Sequence, residues 1–525
     1  MTTETLELRR ARERSLTWRA SLNLAQSILD YGAKLAVGLI VIPVLVTGLG
    51  RSLFGVWEML GRLMGYMEST DGRPTQALRL VISHHQSQNE VAAKRRWVGS
   101  ALVVWLCFLP LWIVTGAVLI WLAPTITKVP PTLTSTVRIT CALAMAGVLV
   151  AALASLPESV LRGMNLGYKR MGLQAGLSVV GGLLVAGAVY AGLGLIGVAG
   201  AGVLLAMLTG LCFLTVVRRQ VPWFGVERPE RAEVTAMFRM SLWIAGGDVV
   251  SKLLLASDVL VLGTIMSAST VTTYVLTGYA AVLAVNLYAL AADSVMPGMA
   301  GIIGEKSYAR AALLRRELLA VTALFVTPVG SAILLWNRSF VQLWVGGENY
   351  AGPWTNLLLV VIAVQTAFIR CDAYIIDAAL QPGRRVRVSA VAAAGALALS
   401  VGLTWYAGLI GLCLGVLAGR ATQTIWFPRV VRDCLGRTPQ LSSRWLARPL
   451  ALMGILFAGS AYLGEKVVLQ RWSIWAVAVL LTAVTAFGVA LQWGLPADLR
   501  TAVRTRLAGL AERVIGGDLR SGIAL

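Results

Sequence analysis

Along nearly the whole chain, apolar residues run in blocks of about 20, broken by short polar connections rich in arginine. A hydrocarbon layer about 30 Å thick takes roughly 20 apolar residues to cross as a helix. Each block therefore predicts a membrane-spanning helix. Fourteen spans are predicted, at 20–47, 54–72, 99–122, 139–161, 172–191, 195–217, 240–264, 271–297, 317–336, 354–377, 388–406, 409–428, 447–464 and 473–494. No stretch alternates apolar and polar residues over the length of a membrane strand, which excludes a β-barrel. The predicted fold class is an all-α integral membrane protein with about 14 transmembrane helices.

Composition removes the alternatives. A chain of 525 residues could hold several soluble domains, but 57% of its residues are hydrophobic and only 14% are charged. Too few polar side chains remain to cover water-facing surfaces of that size. The net charge of +21 would suggest a nucleic-acid partner until its distribution is considered. If the N-terminus is cytoplasmic, 36 Lys and Arg fall in cytoplasmic segments, including the run from Arg420 to Arg448, and 6 fall outside. Four more, Lys34, Arg62, Lys252 and Arg370, fall inside spans. Such a bias is an insertion signal. It puts both termini in the cytoplasm, makes the inner membrane and its lipids the setting, and leaves no role for nucleic acid. The arginine-rich start precedes an apolar run too long for a signal peptide, so it reads as a retained first helix. The six cysteines have no regular spacing, and the only histidines are His84 and His85. Neither set suggests a metal centre, and no cofactor is expected. Gly304, Lys306 and Ser307 lack the spacing of a phosphate loop, so no ATP site is expected.

Comparing the sequence with itself at a shift of about 217 residues reveals a duplication. Asp30, Lys34 and Leu35 in span 1 recur as Asp248, Lys252 and Leu253 in span 7. Ser21-Leu22 recurs as Ser241-Leu242. Tyr190-Ala191-Gly192-Leu193, between spans 5 and 6, recurs as Tyr406-Ala407-Gly408-Leu409 between spans 11 and 12. The basic turn Lys169-Arg170 corresponds to Arg385 and Arg387. The expected organisation is a basic N-terminus (1–19), a six-helix lobe (20–217), a linker (218–239), a second six-helix lobe (240–435), two further helices (436–494) and a cytoplasmic tail (495–525). Six spans per lobe is an even number, so both lobes enter from one side. Their pseudo-symmetry axis then runs along the membrane normal.

Charges inside the membrane are costly and tend to be paired or functional. Asp30 and Lys34, Glu58 and Arg62, and Asp248 and Lys252 are each four residues apart, hence on one helix face. Self-neutralised pairs and charges lining a hydrated cleft are both open readings of this spacing. In the second reading Lys34, Arg62, Lys252 and Arg370 hold an anionic substrate, while Asp30, Asp248, Asp258 and Glu58 tune those cations or bind a coupling ion. Arg370 has no carboxylate four residues away and is the best candidate for an unpaired cation. The glycines at 192, 194, 197, 200 and 202, and at 408, 411, 415 and 419, predict close helix packing.

The run Thr47-Gly48-Leu49-Gly50-Arg51-Ser52-Leu53-Phe54-Gly55-Val56-Trp57, followed by Asp71-Gly72 and Ala77-Leu78, resembles the opening of bacterial polysaccharide flippases. Ser257-Asp258 through Gly263 with Tyr274, Phe340 through Gly346, and Gly411 through Arg432 resemble later parts of the same proteins. These belong to the multidrug/oligosaccharidyl-lipid/polysaccharide exporter superfamily. The resemblance implies alternating access by two lobes. It implies movement of an undecaprenyl-pyrophosphate-linked oligosaccharide to the periplasmic leaflet, with cavity cations on the pyrophosphate and a polysaccharide polymerase and export machinery as partners. Two other readings stay open. One is an ion-coupled small-molecule antiporter, which twelve spans would suit better. The other is a membrane glycosyltransferase or polymerase, for which the longest outer loops, 123–138 and 337–353, leave no catalytic domain.

Overall fold

The computed structural model describes residues 3–85, 90–166, 172–293, 296–436 and 444–501, with the backbone alone for 3–28, 293 and 297. The duplicated basic turn at Lys169-Arg170 and most of the C-terminal tail lie outside the described residues. Among those described, every regular element is a helix.

Among the described residues, eleven helices are long and apolar enough to cross a membrane. Two of them are bent double. The helix α1 (Thr3–Thr70) is interrupted at Gly50, at φ 78° and ψ 161°, and so contains spans 1 and 2. The helix α12 (Pro382–Leu435) is interrupted at Ala407 and Gly408 and contains spans 11 and 12. A further long helix, α7 (Arg231–Ile265), carries Asp248, Lys252 and Asp258 and is not among the eleven. With α7 added and both arms of α1 and α12 counted, the predicted set of spans is complete. The protein is an all-α, multi-pass membrane protein.

The chain divides into two compact units, Met1–Lys252 with Ser267–Ser269, and Leu253–Met266 with Thr270–Leu525. The first unit runs from α1 through α2 (Pro74–His84), α3 (Val91–Ile126), α4 (Thr134–Gly163), α5 (Leu173–Tyr190) and α6 (Gly194–Gln220) into α7. Its core joins Ala77, Leu78 and Ile82 of α2 to Val98 of α3, Val160 of α4, Val217 of α6 and Met237 of α7. The second unit continues with α8 (Ala268–Asp293), α9 (Met296–Gly304), α10 (Tyr308–Val345), α11 (Pro353–Ala378) and α12. Its core joins Met299 of α9 to Ala312 of α10, Ile376 of α11 and Phe427 of α12. In both units a short helix after the second span is buried against the third, fourth and sixth. The element order therefore repeats as the sequence does. Neither short helix was anticipated, because 11 and 9 residues fall below membrane length.

The repeated Tyr-Ala-Gly-Leu sequence makes the same kind of turn twice. Gly192 and Gly408 both have positive φ, 72° and 54°, a region that glycine enters without steric cost. Beyond that turn the two glycine stripes differ. A Cβ on Gly411, Gly415 or Gly419 would strike the backbone of Leu403, Ser400 or Ala396, at 1.9, 2.5 and 2.2 Å. These pairs place the two arms of α12 antiparallel and almost in backbone contact. In the first unit Gly194, Gly200 and Gly202 have nothing within 4 Å, so the expected close packing is not made at those positions.

The last two spans, α13 (Ala447–Lys466) and α14 (Trp472–Val489), lie along α10. Phe457 fits over Gly330, where a Cβ would come within 2.4 Å of its ring. The Trp336 indole donates to Thr482 Oγ1 at 2.9 Å, and Arg338 and Tyr350 both donate to the Glu465 carboxylate, at 3.1 and 2.8 Å.

Candidate functional site

Of the three carboxylate–cation pairs suggested by spacing, one forms. Lys252 Nζ lies 3.3 Å from Asp248 Oδ2. Lys34 is exposed and, among the described residues, makes neither an ion pair nor a hydrogen bond, so Asp30 does not neutralise it. Glu58 and Arg62 feel each other's charge but do not come within ion-pair distance. A spacing of four residues permits contact; rotamer and neighbours decide it.

Asp248 and Lys252 belong to a larger cluster in the first unit. Arg73 donates to Asp248 Oδ2 from Nη2 at 2.7 Å and from Nε at 3.0 Å, and the Ser69 hydroxyl donates to the same oxygen at 2.6 Å. Glu68 accepts from Arg73 at 3.3 Å and from Lys252 at 3.2 Å. Lys252 also donates to the Gly65 carbonyl, and the Tyr66 hydroxyl donates to the Lys252 carbonyl at 3.1 Å. Arg73 reaches this position through a tight turn. Gly72 has φ 78°, Arg73 itself is left-handed at φ 52°, and its amide donates to Asp71 Oδ1 at 2.8 Å before Pro74 starts α2. Burial pushes the Asp71 carboxyl above its ordinary range, against the pull of the Arg73 amide and guanidinium. Burial pulls the Arg73 guanidinium down, but the Asp248 contact outweighs it and the group is held above its ordinary value.

The second unit holds a more deeply buried set. Asp258 on α7 accepts from the Tyr274 hydroxyl at 2.7 Å, which joins two of the motif positions. Arg420, on the second arm of α12, donates to Thr366 Oγ1 of α11 at 2.9 Å and to the Leu254 carbonyl of α7 at 2.7 Å. It is 7% exposed and lies close enough to feel the charges of Asp258 and Arg370. Sequence position grouped Arg420 with the cytoplasmic arginines that follow it, and that assignment is wrong: the residue is in the interior of the unit. Its place within the predicted span 409–428 was the available signal. The acids beside Arg370 are engaged elsewhere. Asp372 accepts two bonds from Arg315, at 2.7 and 3.0 Å, and Asp377 lies 2.8 Å from Arg385. Arg370 itself makes no ion pair or hydrogen bond among the described residues.

The family described as polysaccharide biosynthesis protein matches residues 23–302, more than half of the chain. The chain belongs to that family. This polysaccharide biosynthesis protein shares its fold with solved members of the MOP exporter superfamily. The lipid II flippase MurJ in an inward-closed conformation is 11% identical, with a TM-score of 0.66, over 92% of this chain and 99% of that one. An inward-facing multidrug resistance MATE family transporter of the MOP superfamily is 13% identical, with a TM-score of 0.59, over 78% of this chain and 99% of that one. The Vibrio cholerae MATE transporter VcmN is 15% identical, with a TM-score of 0.57, over 81% and 99%. No curated protein matches the chain.

Proposed function

We propose that this family member flips an undecaprenyl-pyrophosphate-linked oligosaccharide from the cytoplasmic to the periplasmic leaflet of the bacterial inner membrane by alternating access. It acts as a secondary transporter with no catalytic step and with both termini in the cytoplasm. The observation that carries this reading is that Lys34, Arg62 and Arg370, all in membrane-length helices, make no ion pair among the described residues. An unpaired cation in a low-dielectric setting is expensive unless an anion arrives to neutralise it, and a pyrophosphate is such an anion. In this reading Lys252 joins the substrate only after giving up Asp248 and Glu68. Exchange of that kind, driven by a proton or cation at Asp30, Glu58, Asp248 or Asp258, would couple binding to conformational change. The fold likeness to the lipid II flippase extends over 92% of the chain, against about four-fifths for the MATE transporters, which favours a flippase over a multidrug antiporter. A polysaccharide polymerase and export machinery are the partners that such a product would meet.

Glycan-export complementation at matched expression tests the proposal. Lys34→Ala combined with Arg62→Ala is expected to reduce export at least tenfold, with recovery by Lys34→Arg combined with Arg62→Lys. Full export by the double alanine variant would sink it.

A further inference from the structure

We propose that Arg420 and Arg370 form a phosphoryl-binding site inside the second unit, with Arg420 as the buried anchor and Arg370 as the second fork. This inference rests on the flippase reading and adds a residue to it. Arg420 is 7% exposed, yet both of its acceptors, Thr366 Oγ1 and the Leu254 carbonyl, are neutral. Its Nε–H is buried and has no partner. Asp258, whose charge reaches Arg420, makes no ion pair with it and accepts from the Tyr274 hydroxyl. A guanidinium buried this deeply with no carboxylate at ion-pair distance is an unusually costly choice, since buried arginines are normally paired.

Arg370 is on the face of α11 that meets Arg420. It follows Thr366 by four residues, one helical turn, and Thr366 is the residue Arg420 holds. Arg420 thus feels one carboxylate, Asp258, and a second guanidinium, Arg370, so these three groups carry one positive charge in excess. Arg315 and Arg385 hold the two other acids of α11, so no acid on that helix is free to cancel the excess. Guanidinium forks match phosphoryl oxygens in planar, paired hydrogen bonds, one fork to each phosphoryl group. The bland alternative is that Arg420 only pins α7 and α11 to α12. That role would not account for its empty Nε–H or for the second unpaired arginine beside it.

The test is native mass spectrometry of the full-length protein, titrated in detergent with undecaprenyl pyrophosphate, undecaprenol and phosphatidylglycerol. Arg420→Gln and Arg370→Gln should each weaken undecaprenyl pyrophosphate binding at least tenfold and leave undecaprenol binding unaltered, Arg370→Gln at unchanged Tm. Arg420→Lys, which keeps the charge but loses the fork, should fall between. If Arg420→Gln does not fold, Arg370→Gln and Arg420→Lys carry the test. Phosphatidylglycerol binding that survives in the variants identifies the polyprenyl substrate as the source of the phosphoryl group. Its parallel loss identifies a site open to phospholipid headgroups as well. Undecaprenyl pyrophosphate binding within twofold of the unsubstituted protein in the Arg370 and Arg420 variants overturns the site. If that result comes with loss in Lys34→Ala or Arg62→Ala, the flippase reading stands without it. If the unsubstituted protein ignores undecaprenyl pyrophosphate while phosphatidylglycerol binding needs both arginines, the flippase reading fails and the anion site remains.

Discussion

Arg315 and Arg420 are both buried, and their surroundings answer the cost of burial in opposite ways. Arg315 closes two hydrogen bonds on the Asp372 carboxylate, with the two side chains only 4% and 6% exposed. Removing one partner of such a pair strands a charge and costs about 3–5 kcal/mol, whereas replacing both with apolar residues of similar volume is close to neutral. Arg315→Met should therefore lower the Tm in detergent sharply, and Arg315→Met with Asp372→Leu should restore most of it. Arg370→Met, which strands no partner, should leave the Tm unchanged. Equal losses for Arg315→Met and Arg370→Met would refute this division between structural and ligand-seeking arginines. The contrast was only half legible in the sequence. The isolation of Arg370 follows from its neighbours along one helix. The bonds from Arg315 to Asp372 and from Arg73 to Asp248 join residues 57 and 175 positions apart, and no helical periodicity links them. Lys34 and Arg62 show a different limit, since a spacing of four residues permits a pair while rotamer and neighbours decide whether it forms.

Helices were easier to read than side-chain contacts, because a run of apolar residues long enough to cross a membrane leaves few other outcomes. What escaped were α2 and α9, whose 11 and 9 residues fall under the length threshold, and the unequal fate of the glycine stripes. A stripe of small residues permits close approach but does not name a partner. On α12 the partner is the helix's own first arm, returned by the Gly408 turn. Gly415→Val would place side-chain carbons against the backbone of Ser400, where even a Cβ comes within 2.5 Å. Overpacking of this kind costs about 1–3 kcal/mol, and the upper end applies where backbone must move. Gly200→Val, with open space around it, should cost a few tenths of that. Tm measurements on the two variants check the expectation, and similar losses would mean that the arms of α12 are not in the contact described. Gly415→Val also has a predicted local consequence. Arg420 sits little more than one turn beyond Gly415, so spreading the arms should weaken its bond to Thr366 and with it any anion held there.

At the scale of the whole molecule, the basic residues decide which way the helices run. Fourteen passes, counting the arms of α1 and α12 separately, would return the chain to the side from which it started. Moving Arg420 from the cytoplasmic group into the interior takes one charge from a total of 36 and leaves the bias intact. The strongest basic groups follow the even-numbered spans, where Arg218 and Arg219 close α6 and Arg432 closes α12. These groups resist translocation and should hold their loops in the cytoplasm. Reporter fusions after Arg310 and after Arg432 are therefore expected to give cytoplasmic signals, and a fusion in the 467–471 connection between α13 and α14 a periplasmic one. A periplasmic signal after either arginine would invert the membrane orientation.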